Sequence, residues 1–174
     1  MSLFSGMKGA KRNFQSAKLI EGDYFVRIDN CETFETDISG NCYKILLTIL
    51  AVNDGTHKEG EVLTVVYGEK SAQTKANWYG NIKGFIATVM GVADDAVGEA
   101  ETVATLTKEL GGQNVLGGTV CRVKAMRRVS KKNRDEKGNP REFTVYNWGL
   151  ALSSEEIPGV LGEERVKRFF PNGL

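Results

Sequence analysis

The chain has one histidine and three cysteines, and no Cys-x-x-Cys pair. Zinc sites are built from clustered thiolates and imidazoles, so the usual zinc patterns are missing and no metal is expected. Cys31, Cys42 and Cys121 are odd in number and widely spaced, which fits free thiols in a reducing compartment, the cytoplasm, better than a disulfide framework. They read as small buried strand residues. No apolar run approaches the ~18 residues of a membrane span, so no membrane partner is expected. The first 18 residues carry Lys8, Lys11, Arg12 and Lys18 without an apolar stretch, and do not read as a secretory signal. Gly-x-Ser-x-Gly, His-Glu-x-x-His and Gly-x-x-x-x-Gly-Lys-Ser/Thr are all absent. His57 sits between Asp54-Gly-Thr and Lys-Glu-Gly60 and reads as a solvated turn histidine. Asp94-Asp95 and Glu163-Glu164 are sequence neighbours, whose side chains diverge on a helix and make poor two-metal sites. No catalytic constellation assembles, so the expectation is a non-enzyme without cofactor.

At 174 residues, with 41% hydrophobic and 26% charged composition, the chain reads as one soluble globular domain able to bury a full core. A net charge of +1 is silent about partners. Its distribution is not. Arg122, Lys124, Arg127, Arg128, Lys131, Lys132, Arg134, Lys137 and Arg141 face only Asp135 and Glu136, about +7 within 20 residues. Part of the balance lies at 94–110, where Asp94, Asp95, Glu99, Glu101 and Glu109 oppose Lys108.

Residues 1–20 read as a flexible basic leader, and 21–174 as a single domain with a C-terminal tail. From Gly22 the pattern has period two: Tyr24, Val26 and Ile28 on one face, Phe25, Arg27 and Asp29 on the other, to about Thr36. Asp37 to Asn41 is a turn. Cys42–Val52 is a strand apolar on both faces at its centre, as a strand covered on both sides should be. Glu61–Tyr67 is a third strand. Asn81 is an apparent N-cap for a helix carrying Ile82, Phe85, Ile86, Val89 and Met90, stopped by Gly91. Val103, Leu106 and Leu110 suggest a second helix ended by Gly111-Gly112. Gly118–Val129 and Arg141–Leu152 are strands joined by a polar loop, 130–140. No internal repeat or low-complexity linker appears.

This order suits a mainly β fold: a five-stranded OB-like barrel with one or two helices between strands three and four. Such a fold carries nucleic acid across strands two and three, between the loops joining strands one to two and four to five. The basic loop would be the second of these. Lysines and arginines neutralise phosphates, and aromatic faces stack on bases. Phe34 and Tyr43 flank the first loop, and Tyr146 and Trp148 share one face of strand five, opposite Phe143 and Val145; these are the stacking candidates. Which face of strand five meets the core is left open by pattern alone. Tyr24 and Phe85 read as core, and Trp78 and Tyr79 as a staple before the helix or a DNA contact. The basic run also has a plain reading, a solvated and solubilising hairpin.

The stretches Glu21-Gly-Asp-Tyr-Phe-Val-Arg-Ile, Tyr43-Lys-Ile-Leu-Leu-Thr-Ile-Leu, the helix Trp78 to Gly91, Gly118-Thr-Val-Cys-Arg-Val-Lys and the ending Val166-Lys-Arg-Phe-Phe-Pro resemble phage-encoded single-stranded DNA-binding proteins of OB-fold type. The resemblance covers about residues 20–171. It implies sequence-tolerant binding of single-stranded DNA, no catalysis, replication or recombination proteins as partners, and the host cell cytoplasm as location. Many such proteins end in an acidic recruiting tail. This chain ends in Arg168-Phe-Phe-Pro-Asn-Gly-Leu, which puts tail recruitment in doubt and leaves 94–109 as the acidic segment. Two rivals stand beside this reading: an OB-like protein-interaction adaptor and an RNA-binding OB domain. Exposed sheet edges also offer a route to a homodimer.

Overall fold

A computed structural model describes residues 17–72, 74–92, 96–110 and 112–174. Lys8, Lys11, Arg12, Asp94 and Asp95 lie outside the described residues. Five antiparallel strands form one sheet: β1 (Gly22–Thr36), β2 (Gly40–Gly55), β3 (Val62–Gly68), β4 (Val120–Arg134) and β5 (Pro140–Ala151). Their order is β3-β2-β1-β4-β5. Helices α1 (Lys75–Met90) and α2 (Ala96–Leu110) lie between β3 and β4, and α3 (Glu156–Leu161) and α4 (Glu163–Phe169) follow β5. The mainly β architecture and the placement of α1 and α2 are as expected from sequence. Closure into a barrel is not: β3 and β5 are the two ends of the sheet and share no ladder.

The pairing of β1 with β2 shifts register at Asp23/Tyr24, Phe25/Val26 and Ile28/Asn30, and such bulges bend and twist a sheet. The curled sheet brings β3 and β5 towards each other, but other atoms fill part of the seam. Leu19 N–H donates to Thr64 O (3.0 Å) and Thr64 N–H donates to Ala17 O (3.0 Å), a parallel bridge along the edge of β3. The Tyr146 hydroxyl on β5 donates to Leu19 O (2.9 Å). Residues 17–20, assigned to the leader by sequence, therefore belong to the fold, and Leu19 is fully buried. His57 fastens the same segment. Its Nε2 accepts from Ile20 N–H (3.1 Å), which puts the ring proton on Nδ1, facing Glu61 Oε2 at 2.8 Å. The expected solvated turn histidine is instead a largely buried clip.

The inner face follows the period of two. Tyr24, Val26 and Ile28 of β1, Ile45, Leu47 and Ile49 of β2, and Cys121, Val123 and Ala125 of β4 are buried beneath α1. Helix α1 begins at Lys75, with Thr74 Oγ1 accepting from Asn77 N–H (3.1 Å), six residues before the apparent cap at Asn81. Trp78 already belongs to its buried stripe with Ile82, Phe85, Ile86 and Val89. At about 1.5–3 kcal/mol per buried side chain, that stripe is what docks the helix. Gly91 ends it in the left-handed conformation, φ 67°. On the outer face Leu50, Ala51 and Val120 are covered by Ile157 and Leu161, with Phe25, Phe169 and Phe170 packed alongside. Arg27 Nη1 donates to Phe169 O (3.1 Å) and the guanidinium lies 5.8 Å from the Phe170 ring. The apolar tail is thus tucked against the sheet, and β2 is covered on both sides as expected.

Helix α2 turns a face inward that its sequence does not advertise. Leu106 packs on the core as expected, but Val103 is 52% exposed, while Thr102, Thr105 and Glu109 are buried. Glu109 Oε1 accepts from Leu116 N–H (2.9 Å), and among the described residues Oε2 has no hydrogen-bond partner. Burial raises the Glu109 carboxyl above its ordinary value, partly offset by the N–H groups of Leu116 and Val115. A raised folded-state value means that this group's contribution is complete below its unfolded value and is lost as pH rises through the folded one. Glu109→Gln removes that loss. Its melting temperature relative to wild type should therefore climb as pH rises above about 4.5 in parallel thermal melts; a constant offset would show that burial does not raise the Glu109 carboxyl.

Candidate nucleic-acid interface

The basic residues are carried by a two-stranded arm. Strand β4 runs on to Arg134, well past the loop start expected at 130, and β5 begins at Pro140. Asp135 builds the tip: its Oδ1 accepts from Lys137 N–H (2.9 Å) and Asn139 N–H (2.8 Å), and Gly138 takes a positive φ of 82°. These hydrogen bonds, to Asn139 first, lower the Asp135 carboxyl below the usual carboxylate range. Below the tip, the ladder shifts register between Val129 and Arg134. Ser130 Oγ accepts there from Lys132 N–H (3.3 Å) and Asn133 N–H (2.9 Å), so Lys131 and Lys132 sit on a bulge.

Not all nine cations are available. Arg122 grips Asp23 across the β1–β4 register, Nε donating to Oδ1 at 2.8 Å and Nη2 to Oδ2. The guanidinium holds the Asp23 carboxyl below its ordinary range. Arg127 is paired with Glu142. That pair is exposed and screened by solvent, so it holds Arg127 only weakly. Lys124, Arg128, Lys131, Lys132, Arg134, Lys137 and Arg141 make no ion pair among the described residues. Alternation puts Arg128 on the face of Arg122 and Lys124, and Arg127 on the face of the buried Val123 and Ala125.

The aromatic candidates divide. Tyr43 is fully buried in the core, 6.2 Å from Phe85, and cannot stack on a base; its phase with Ile45, Leu47 and Ile49 explains why. Phe34 pairs with Cys42 at the far end of β1, whereas the arm extends beyond Gly22 at the near end, so the structure does not bring it to the cations. Tyr146 and Trp148 face inward and pack on the core. They do not protrude. They wall a groove of about 690 Å³ between the edge of β3, α1 and β5. Tyr67, which sequence reasoning missed, sits opposite: Trp148 Nε1 donates to its hydroxyl (3.0 Å), and its ring meets Tyr146 edge-on at 6.4 Å. Its phase with Leu63 and Val65 was the available signal. Phe143, the unselected face of β5, is 50% exposed and lies directly across from Arg128.

Two further findings constrain a path. The outer face of β1 and β2, where an OB fold would carry a strand, is covered by α3 and α4 over Phe25, Leu50 and Ala51. A second depression, about 560 Å³ at the foot of the arm, is lined by Glu21, Asp54 and Glu142, with Arg127 already paired. Its charge repels phosphate. Phe143 and Thr144 border both depressions, so they separate an acidic side from a neutral one. The acidic segment expected to balance the arm is also reduced: Glu109 is buried and Glu99 lies 3.4 Å from Lys83. All three cysteines are buried and free, with Cys31 and Cys121 pushed up to about 12 by burial. Among the described residues no helix is long and apolar enough to cross a membrane. No protein-family model matches the chain, and no curated protein matches it.

Proposed function

We propose that this protein binds single-stranded DNA without catalysis and with little sequence preference, as a component of phage replication or recombination. The observation that carries the reading is the β4–β5 arm: seven cations without an ion-pair partner among the described residues, against the exposed carboxylates of Asp135 and Glu136, standing beside a neutral aromatic groove. Cations on an exposed arm suit a flexible phosphate backbone, and counterion release makes such contacts strong at low salt. The fold supports the same reading as an OB-like sheet left open at its last seam, since OB folds are partly open Greek-key barrels. The covered outer face of β2 moves the proposed path away from strands two and three and onto the arm.

Fluorescence polarisation with a labelled oligo-dT and the matching duplex tests it. Tighter binding to oligo-dT is expected, weakening steeply as salt rises. Equal binding to both, or none at low salt, overturns the reading. RNA oligomers as competitors decide between DNA and RNA, which share the chemistry of phosphate and base faces.

A further inference from the structure

We infer that the groove between β3, α1 and β5 receives unstacked bases of the bound strand, making the open seam of the sheet its base-holding site. This rests on the single-strand reading and adds which surface takes the bases. The lining contains no carboxylate, ammonium or guanidinium. A phosphate has no counter-charge there, whereas a base is neutral. The space, about 690 Å³, falls within the range of about 300–1,000 Å³ common for small-ligand sites.

Its rings are held in place before any ligand arrives. Trp148 is tied to Tyr67 by a hydrogen bond of 3.0 Å, stacks edge-on against Phe85 at 4.7 Å, and neighbours Tyr146 at 6.4 Å. Fixed rings lose little freedom on binding. Asn81 on α1 lines the groove, and its side chain has no hydrogen-bond partner among the described residues. An amide offers both a donor and an acceptor, which matches the edge of a base. The strand register sets the approach: Thr144, which borders the groove, is the cross-strand partner of Arg127 on the inner face of the arm, so the groove begins where the arm leaves the sheet.

The groove also accounts for discrimination that the arm cannot supply. Cations attract duplex and single strand alike, but a base can enter a walled groove only when it is out of its stack. The test fills the groove without touching the arm. At Gly84 on α1, no atom lies within 4 Å of where a side chain would begin. Gly84→Leu should fold normally, bind oligo-dT about ten-fold or more weaker, and leave duplex affinity and the salt slope unchanged. Gly80→Leu, one turn earlier and equally open, should do the same. An abasic sugar-phosphate oligomer should bind wild type and Gly84→Leu equally. If wild type prefers oligo-dT and both leucine variants keep its full affinity, the base-groove inference falls while the single-strand reading stands, and the groove belongs to another occupant such as an extended peptide. If wild type shows no preference for oligo-dT, the single-strand reading itself falls.

Discussion

Reversing Lys131, Lys132 and Arg134 to glutamate is expected to weaken binding to oligo-dT by about 100-fold or more at about 50 mM salt, and to flatten the salt dependence. Each phosphate contact on a single strand contributes about 0.7 to the slope of log K against log salt, so losing three lowers it by about 2. Repulsion from the new carboxylates adds to the loss. These residues sit on the bulge and near the tip of the arm, exposed and without ion-pair partners among the described residues, so the fold should survive. Arg122 supplies the contrast. Its guanidinium is committed to Asp23, so Arg122→Ala should cost stability through the unpaired carboxylate and leave the slope nearly unchanged. Polarisation titrations at three salt concentrations distinguish the two. A charge-reversed arm that binds as wild type does would reduce the basic run to a solubilising hairpin.

The largest stability effect is expected at Gly22. Gly22 and Gly55 face each other in the β1–β2 register, with φ of 153° and 126°. Between them lies the fully buried Tyr24 ring, whose hydroxyl donates to Glu21 O at 2.9 Å. A Cβ on Gly22 would stand 2.1 Å from the Tyr24 hydroxyl oxygen and 2.6 Å from Asp54 O. The first atom belongs to a ring with nowhere to go, and the second is backbone. Overpacking of about 1–3 kcal/mol adds to about 1–2 kcal/mol for the backbone conformation. Gly22→Ala should thus cost about 2–5 kcal/mol and lower Tm by about 5–20 °C. Gly138→Ala isolates the backbone share. It has φ 82° but open space around it, and should lose only about 1–2 kcal/mol. Equal melting temperatures for the two variants would show that the Tyr24 slot is not tight.

The strands were legible because their alternation is strong, as in Tyr24, Val26 and Ile28, and because β2 is apolar on both faces. The start of α1 was not. Asn81 resembles a cap, yet Trp78 fits the stripe of Ile82, Phe85 and Val89, and Thr74 makes the cap bond. The inner face of α2 was hidden because Thr102, Thr105 and Glu109 look like surface residues. For the site, local charge marked the arm, but register decides which cations are free. Asp23 is 99 residues from Arg122 in the chain, and only the β1–β4 ladder brings them together. Tyr43 was legible in its phase and was misplaced by its nearness to a turn. Tyr67 joins Trp148 across a gap of 81 residues that no local pattern encodes.

The unpaired seam gives the sheet a mechanical property that a closed cylinder lacks. A closed barrel has a fixed circumference, because widening it breaks backbone ladders. Here the circumference ends at β3 and β5, which are joined by side chains: Tyr67 with Trp148, and Tyr146 with Leu19 O. Widening the gap would therefore break those side-chain bonds and leave the strand ladders intact. The gap's compliance is set by those bonds and by the clip at His57 rather than by the sheet.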